Sequence, residues 1–145
     1  GADGVHLGQD DIPVAEARRL ADLFFASHDA DGENVAAGDF IIGATAHNAE
    51  EALTAEAAGA DYLGCGAVFS TKTKKDTVPL GLDGLRAIIK AVHIPVVGIA
   101  GVTLQNYKQV LSIGANGVAV ISAILGADDI TADVTGFLAD PQRPI

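Results

Sequence analysis

Gly59-Ala60-Asp61-Tyr62-Leu63-Gly64-Cys65-Gly66 closes one structural element and opens the next. Gly59 follows an Ala/Glu-rich run, Ala49 to Ala58, and suits the left-handed residue that ends a helix. Tyr62 to Gly66 is a short apolar run bounded by turn residues, which reads as a buried strand. Asp61 between them turns the chain inward. The arrangement recurs at Gly114-Ala115-Asn116-Gly117, between a helical run, Leu104 to Ile113, and a strand-like run, Gly117 to Ile121. A third copy, Gly1-Ala2-Asp3-Gly4, stands before the strand-like run Gly4 to Leu7. No helix precedes that cap, and the sequence contains no Met. The expectation is that Gly1 lies inside a longer polypeptide.

Working outward, Phe40 to Ala44 and Pro95 to Ile99 read as two further strands. Val14 to Phe25 carries apolar residues at 14, 17, 20, 21 and 24, with Pro13 at the first turn of a helix. Asn48 is the expected N-cap of the Ala49 to Ala58 helix, and Thr103 that of the Leu104 to Ile113 helix. Leu82 to Val92 and a segment from about Asp129 to Leu138 complete the helices. Strand and helix alternate, which predicts a parallel sheet with crossover helices in a single domain, residues 1–145. Five βα units fit an arc of an eight-stranded barrel, which takes ~250 residues when whole, or an open doubly wound sheet. The pattern alone fits both. Residues 22–39 read as a polar insertion. Ser27 to Asn34 within it resembles part of a calcium loop, but neither the ligand spacing nor the closing Glu fits.

The 145 residues are 49% hydrophobic and 19% charged, a globular composition. A net charge of −10 argues against nucleic-acid binding and against bulk attraction to anionic membranes. The single cysteine, Cys65, cannot form an internal disulfide, which fits a reduced, cytoplasmic setting. No apolar run is long enough to span a bilayer.

Parallel βα proteins bind ligands at the C-terminal ends of their strands. After the first strand come Gln9-Asp10-Asp11, whose carboxylates suit either Mg²⁺ or a helix cap. After the second come Thr45, a hydroxyl donor, and His47, read as structural or as an acid–base group. After the third comes Ser70-Thr71-Lys72-Thr73-Lys74-Lys75-Asp76. Three Lys within four residues reverse the acidic character of the chain, and hydroxyls interleaved with ammonium groups suit a polyanion. After the fourth and fifth, the backbone N–H groups of Gly101, Ile121 and Ser122 are expected to point at one phosphate, as a Gly turn paired with a helix N-terminus does in barrels.

These blocks together resemble the thiamine-phosphate synthase family: Gly4-Val5-His6-Leu7-Gly8-Gln9-Asp10-Asp11, Gly59 to Gly64, Thr71 to Asp76 and Gly117 to Ile124 stand in that family's order. The resemblance covers nearly the whole chain. It implies a (β/α)8 TIM barrel of which this chain supplies strands four to eight. It implies coupling of an aminopyrimidine diphosphate to a thiazole phosphate with release of pyrophosphate, in thiamine biosynthesis, assisted by Mg²⁺. On the matching positions it implies that Asp11 is a Mg²⁺ ligand. Thr45 would lie near the pyrimidine and diphosphate, and Thr71, Thr73 and Lys74 would hold pyrophosphate and thiazole. Gly101, Ile121 and Ser122 would clamp a phosphate. Lys74 and Thr45 are the expected catalytic residues, with Lys74 acting electrostatically on the departing pyrophosphate.

The sequence departs from the family at Ala100, where Gly is usual, and at Ser70, where Pro is usual. The family's first three strands have no counterpart in the chain. They carry pyrimidine contacts and the other metal carboxylate, so this segment alone is expected to be inactive. Its edges are expected to be covered by an N-terminal segment or a further copy. Two rival readings are a thiazole tautomerase-like relative, which shares the phosphate clamp without coupling, and a non-catalytic phosphate-binding barrel fragment.

Overall fold

The computed structural model describes residues 2–28, 40–70 and 79–139. Five strands, β1 (Gly4–Leu7), β2 (Ile41–Ala46), β3 (Tyr62–Cys65), β4 (Val96–Ile99) and β5 (Gly117–Ala119), form one sheet in the order β1-β2-β3-β4-β5. Every neighbouring pair is parallel. Among the described residues six helices accompany them: α1 (Val14–His28), α2 (Ala49–Ala57), α3 (Gly81–Ala91), α4 (Tyr107–Ser112), α5 (Ser122–Leu125) and α6 (Ile130–Leu138). A doubly wound sheet reverses its strand order at a switch point. This one never reverses, so the doubly wound alternative is set aside.

Burial shows which face the helices cover. Leu7, Ile42, Ala44, Ala46, Leu63, Cys65 and Val96 all point one way and are buried. They pack against Ala17 of α1, Ala52 and Ala55 of α2, Leu85 and Ile88 of α3, and Tyr107 and Val110 of α4. Burial pushes the Cys65 thiol up to about 12, since the low-dielectric core disfavours the thiolate. The residues between them point to the other face. That face carries His6, Ile41, Gly43, Thr45, Tyr62 and Gly64, and Ile41 remains 49% exposed. One face is thus a helix-packed core. The other is more open and more polar.

The repeated Gly-Ala-Asp/Asn motif has a common physical basis. Gly59 and Gly114 sit at φ +94° and +103°, where an L side chain is disfavoured. Ala60 and Ala115 are buried. The N–H of Asp61 donates to the Ile42 carbonyl (2.7 Å), and Asp61 Oδ2 accepts the Ile42 N–H (2.6 Å). Asn116 does the same to Val96, at 2.8 and 2.9 Å. Each acidic or amide side chain therefore clasps one residue of the strand before it. Arg18 reinforces the first clasp by pairing with Asp61 (2.5 Å) and donating to the carbonyls of Phe40 and Gly59.

Several boundaries differ from the sequence expectation. α1 continues to His28, so the expected polar insertion begins inside a helix; residues 29–39 lie outside the described residues. α4 begins at Tyr107, not Leu104, because residues 104–106 form a turn. Thr103 is not its side-chain cap: Asn106 Oδ1 accepts the Thr103 N–H (2.8 Å), and Asn106 Nδ2 donates to the Gly101 carbonyl (2.9 Å). α5 was not expected as a separate element. Asn48 caps α2 as expected, its side chain accepting the Glu51 N–H (2.9 Å).

Candidate functional site

The C-terminal end of β1 runs into a tight turn. Asp11 Oδ2 accepts the Gly8 N–H (2.7 Å), and the Asp11 N–H reaches the Gly8 carbonyl (3.3 Å). The carboxylate thus closes this turn and caps no N–H of α1. Its Oδ1 makes no hydrogen bond with any described residue. Gln9 Nε2 donates to the Thr45 carbonyl (2.6 Å), tying the β1 turn to β2. Gln9, Asp11 and Thr45 line one groove of about 550 Å³, together with residues of α1 and α2.

Sequence reasoning missed a hydrogen-bonded row on the open face. His6 Nδ1 lies 3.0 Å from the Tyr62 hydroxyl, and His6 Nε2 lies 3.0 Å from the Thr45 hydroxyl. The strand register builds this row. His6 pairs with Gly43 and Gly43 with Tyr62, while Thr45 pairs with Gly64. The two glycines leave room for the rings. A Cβ on Gly43 would lie 2.2 Å from Tyr62 Cζ, and one on Gly64 would lie 2.9 Å from His6 Cε1. Large polar side chains flanking strand glycines are the sequence signal that would have found it. Burial lowers the His6 pKa, and the charge of Asp11 opposes that shift without cancelling it. The neutral imidazole can donate through one nitrogen and accept through the other.

His47 is held in the N-terminal cap of α2. Glu51 Oε2 accepts both the His47 N–H (2.8 Å) and, at 3.0 Å, the His47 ring, while Glu51 Oε1 accepts from Asn48 Nδ2 (2.7 Å). Partial burial opposes ionisation of Glu51. The hydrogen bonds from His47 and Asn48 outweigh it and hold the carboxyl below its ordinary value.

At the far end of the sheet, the pairing of Ile99 with Ala119 sets Gly101 and Ile121 two residues beyond one rung. The N–H groups of Gly101, Ile121 and Ser122 donate to no described residue. Ala100 and Gly101 take φ +71° and +69°. A Cβ on Gly101 would meet Phe69 Cβ and its carbonyl oxygen at 2.7 Å. The Val68 and Phe69 N–H groups donate to the carbonyls of Ile99 and Ala100 (3.0 and 3.2 Å), so this loop is stitched to the chain leaving β3. Thr71, Thr73 and Lys74 lie outside the described residues. Among the described residues, no group of three or more His, Cys, Asp or Glu side chains is arranged to hold a metal. No described helix is long and apolar enough to cross a membrane.

A singly wound parallel sheet covered by helices on one face, with polar side chains and undonated N–H groups beyond its strand ends, defines a parallel βα protein. The family profile described as thiamine monophosphate synthase matches residues 27–124. Thiamine-phosphate synthase of Chloroflexus aurantiacus is 50% identical over 132 residues, 90% of this chain and 54% of its own length. That of Pyrococcus horikoshii is 46% identical over 136 residues, 94% of this chain and 58% of its own. Among solved structures, a thiamine phosphate pyrophosphorylase from Pyrococcus furiosus superposes with a TM-score of 0.78 at 42% identity, over 94% of this chain and 58% of that one. A 3-hexulose-6-phosphate synthase superposes with a TM-score of 0.66 at 22% identity, which speaks to fold alone. The chain belongs to the thiamine monophosphate synthase family. It spans a little over half the length of the curated relatives it matches.

Proposed function

We propose that this chain is the C-terminal part of a thiamine-phosphate synthase. The whole enzyme would couple an aminopyrimidine diphosphate to a thiazole phosphate and release pyrophosphate, in the cytoplasm. Residues 1–145 would act as one domain supplying strands four to eight of an eight-stranded barrel, completed by an N-terminal segment or covered by a further copy. The sequential strand order and the more open polar face support this, because a barrel turns one sheet face inward and covers the other with helices.

The observation that carries the reading is Asp11. Its carboxylate is oriented by the Gly8 N–H, keeps one oxygen without a described partner, and stands in the turn that Gln9 ties to the Thr45 carbonyl. This fits Mg²⁺, which binds through one or two carboxylates and completes its shell with water and substrate phosphates. When bound, Mg²⁺ would offset negative charge growing on the departing pyrophosphate. Thr45, its hydroxyl anchored by neutral His6, would orient the pyrimidine diphosphate. Lys74, with Thr71 and Thr73, would hold the pyrophosphate as its bond to the pyrimidine methylene breaks. The N–H groups of Gly101, Ile121 and Ser122 would hold the thiazole phosphate.

The test is pyrophosphate release by the whole enzyme from both substrates across a Mg²⁺ titration. Asp11→Asn should raise the Mg²⁺ concentration that gives half the maximal rate. Absence of release by the unmutated enzyme would overturn the synthase reading. A slower Asp11→Asn enzyme with unchanged Mg²⁺ dependence would leave Asp11 a turn-closing role alone.

A further inference from the structure

We propose that Tyr62 is a positioning residue: it fixes the tautomer of His6 and thereby leaves the Thr45 hydroxyl as a hydrogen-bond donor to substrate. The inference rests on the placing of Thr45 at the pyrimidine diphosphate and adds Tyr62 to that site. His6 stands between two hydroxyls. Its Nδ1 lies 3.0 Å from the Tyr62 oxygen, and its Nε2 lies 3.0 Å from the Thr45 oxygen. Turning the ring over would set carbon atoms against both hydroxyls, so the two bonds decide which nitrogen faces which partner. Burial lowers the His6 pKa, which keeps the ring uncharged near neutral pH. An uncharged imidazole has one N–H and one bare nitrogen. One hydroxyl therefore donates to the ring, and the other accepts from it.

The two hydroxyls are not equivalent. A phenol is a stronger acid than an aliphatic alcohol, and so the better donor; the alcohol is the better acceptor. The hydrogen bond made at one ring nitrogen sets the proton on the other. Tyr62 then donates to Nδ1, and Nε2–H donates to Thr45. Neither hydroxyl bonds any other described residue, so the Thr45 proton is left for a ligand. In the opposite tautomer Thr45 would donate to Nε2 and present only lone pairs, which a phosphate oxygen, itself an acceptor, cannot use.

The surroundings hold this arrangement in place. Gln9 Nε2 fixes the Thr45 carbonyl (2.6 Å) while His6 fixes its hydroxyl oxygen, so Thr45 is held at both backbone and side chain. Gly64 lies against the His6 ring closely enough that a Cβ would stand 3.2 Å from Nε2. The Tyr62 and His6 rings meet at 5.4 Å between centroids, tilted by 36°. A donor held this way, on the more open face of the sheet, suits a ligand rich in acceptors, as a diphosphate is.

Ring-nitrogen NMR shifts of the histidine-labelled whole enzyme at about pH 8, where the ring is uncharged, read the tautomer without substrate. His6→Gln identifies the His6 signals. Nε2 should carry the proton and Nδ1 should be bare. In Tyr62→Phe, which keeps the ring and removes the donor, the Nδ1–H form should become populated. The same variant should raise KM for the pyrimidine diphosphate about two- to tenfold, with a smaller effect on kcat, the scale of one hydrogen bond. Thr45→Val should raise KM at least as much, and adding Tyr62→Phe to it should change nothing further. A proton on Nδ1 in the unmutated enzyme, an unchanged tautomer in Tyr62→Phe, or additive effects on KM would overturn the proposal. So would an unchanged KM in Thr45→Val. The predicted tautomer and its loss in Tyr62→Phe, in an enzyme that releases no pyrophosphate, would sustain the lock and remove the synthase reading.

Discussion

Gly43→Ala would place a methyl 2.2–2.5 Å from the Tyr62 ring and hydroxyl, far inside van der Waals contact. Overpacking of this kind costs about 1–3 kcal/mol when the neighbours cannot move. Here the obstacle is the far end of a half-buried side chain, and Tyr62 can rotate toward the more open face. Rotation breaks its 3.0 Å hydrogen bond to His6, whose net worth is about 0.5–1.5 kcal/mol. The expected loss is therefore about 1–2 kcal/mol. In a Tyr62→Ala background the three nearest obstacles to that methyl are gone. Replacing Gly then restricts the unfolded chain and returns about 0.4–1 kcal/mol. The two substitutions should couple by at least about 1 kcal/mol, read from urea midpoints at constant slope. Equal destabilisation in both backgrounds would refute the account, and with it the role of Gly43 as the floor of the Tyr62 ring.

Ala100 holds φ +71°, a conformation costing an L residue roughly 1–2 kcal/mol. Part of that is offset by the extra chain entropy of glycine, so Ala100→Gly should stabilise by about 0.5–1 kcal/mol in denaturant unfolding; an unchanged or lower midpoint would count against the strain. In the whole enzyme, Lys74→Ala should lower pyrophosphate release by about 10²–10³-fold with the far-ultraviolet spectrum unchanged, and a near-normal rate would remove Lys74 from the site. The lowered pKa of His6 means the folded state takes up its proton less readily than the unfolded chain does. Its contribution is then complete above the unfolded value of about 6.5 and declines as pH falls below it. His6→Gln should flatten the stability–pH slope in that window, and an unaltered slope would show that His6 is not its source. Glu51, with its lowered pKa, acts at more acidic pH and leaves that window undisturbed.

What the sequence revealed follows from the range of each interaction. The strand starts were legible because Gly59 and Gly114 must take positive φ, and because a polar residue beside each has one backbone task. The N-cap at Asn48 was legible because its partner lies three residues away. The start of α4 was not, because Thr103 and Asn106 compete for the same turn and only the observed bonds choose Asn106. α5 is four residues long, too short for helical periodicity to register. The His6–Thr45–Tyr62 row was invisible for another reason. Its members lie 39 and 56 residues apart and meet only through strand register. Asp11 stands beyond β1, where its position in the sequence puts it; of the two roles its sequence context allows, Mg²⁺ ligand or helix cap, its bond to the Gly8 N–H three residues back replaces the cap with turn closure.

Cys65 gives the chain an internal reporter of its own opening. It is the sequence's single cysteine, lies on β3 in the fully buried layer beneath α2 and α3, and carries a thiol pushed up to about 12. Only the thiolate reacts with alkylating or disulfide reagents, so near neutral pH the folded molecule holds almost none of the reactive form, and its buried position shields what there is. In the unfolded chain the thiol returns to about 8.5 and reacts freely. The labelling rate therefore measures how often the sheet parts from its helices, at one known address and without any engineered probe.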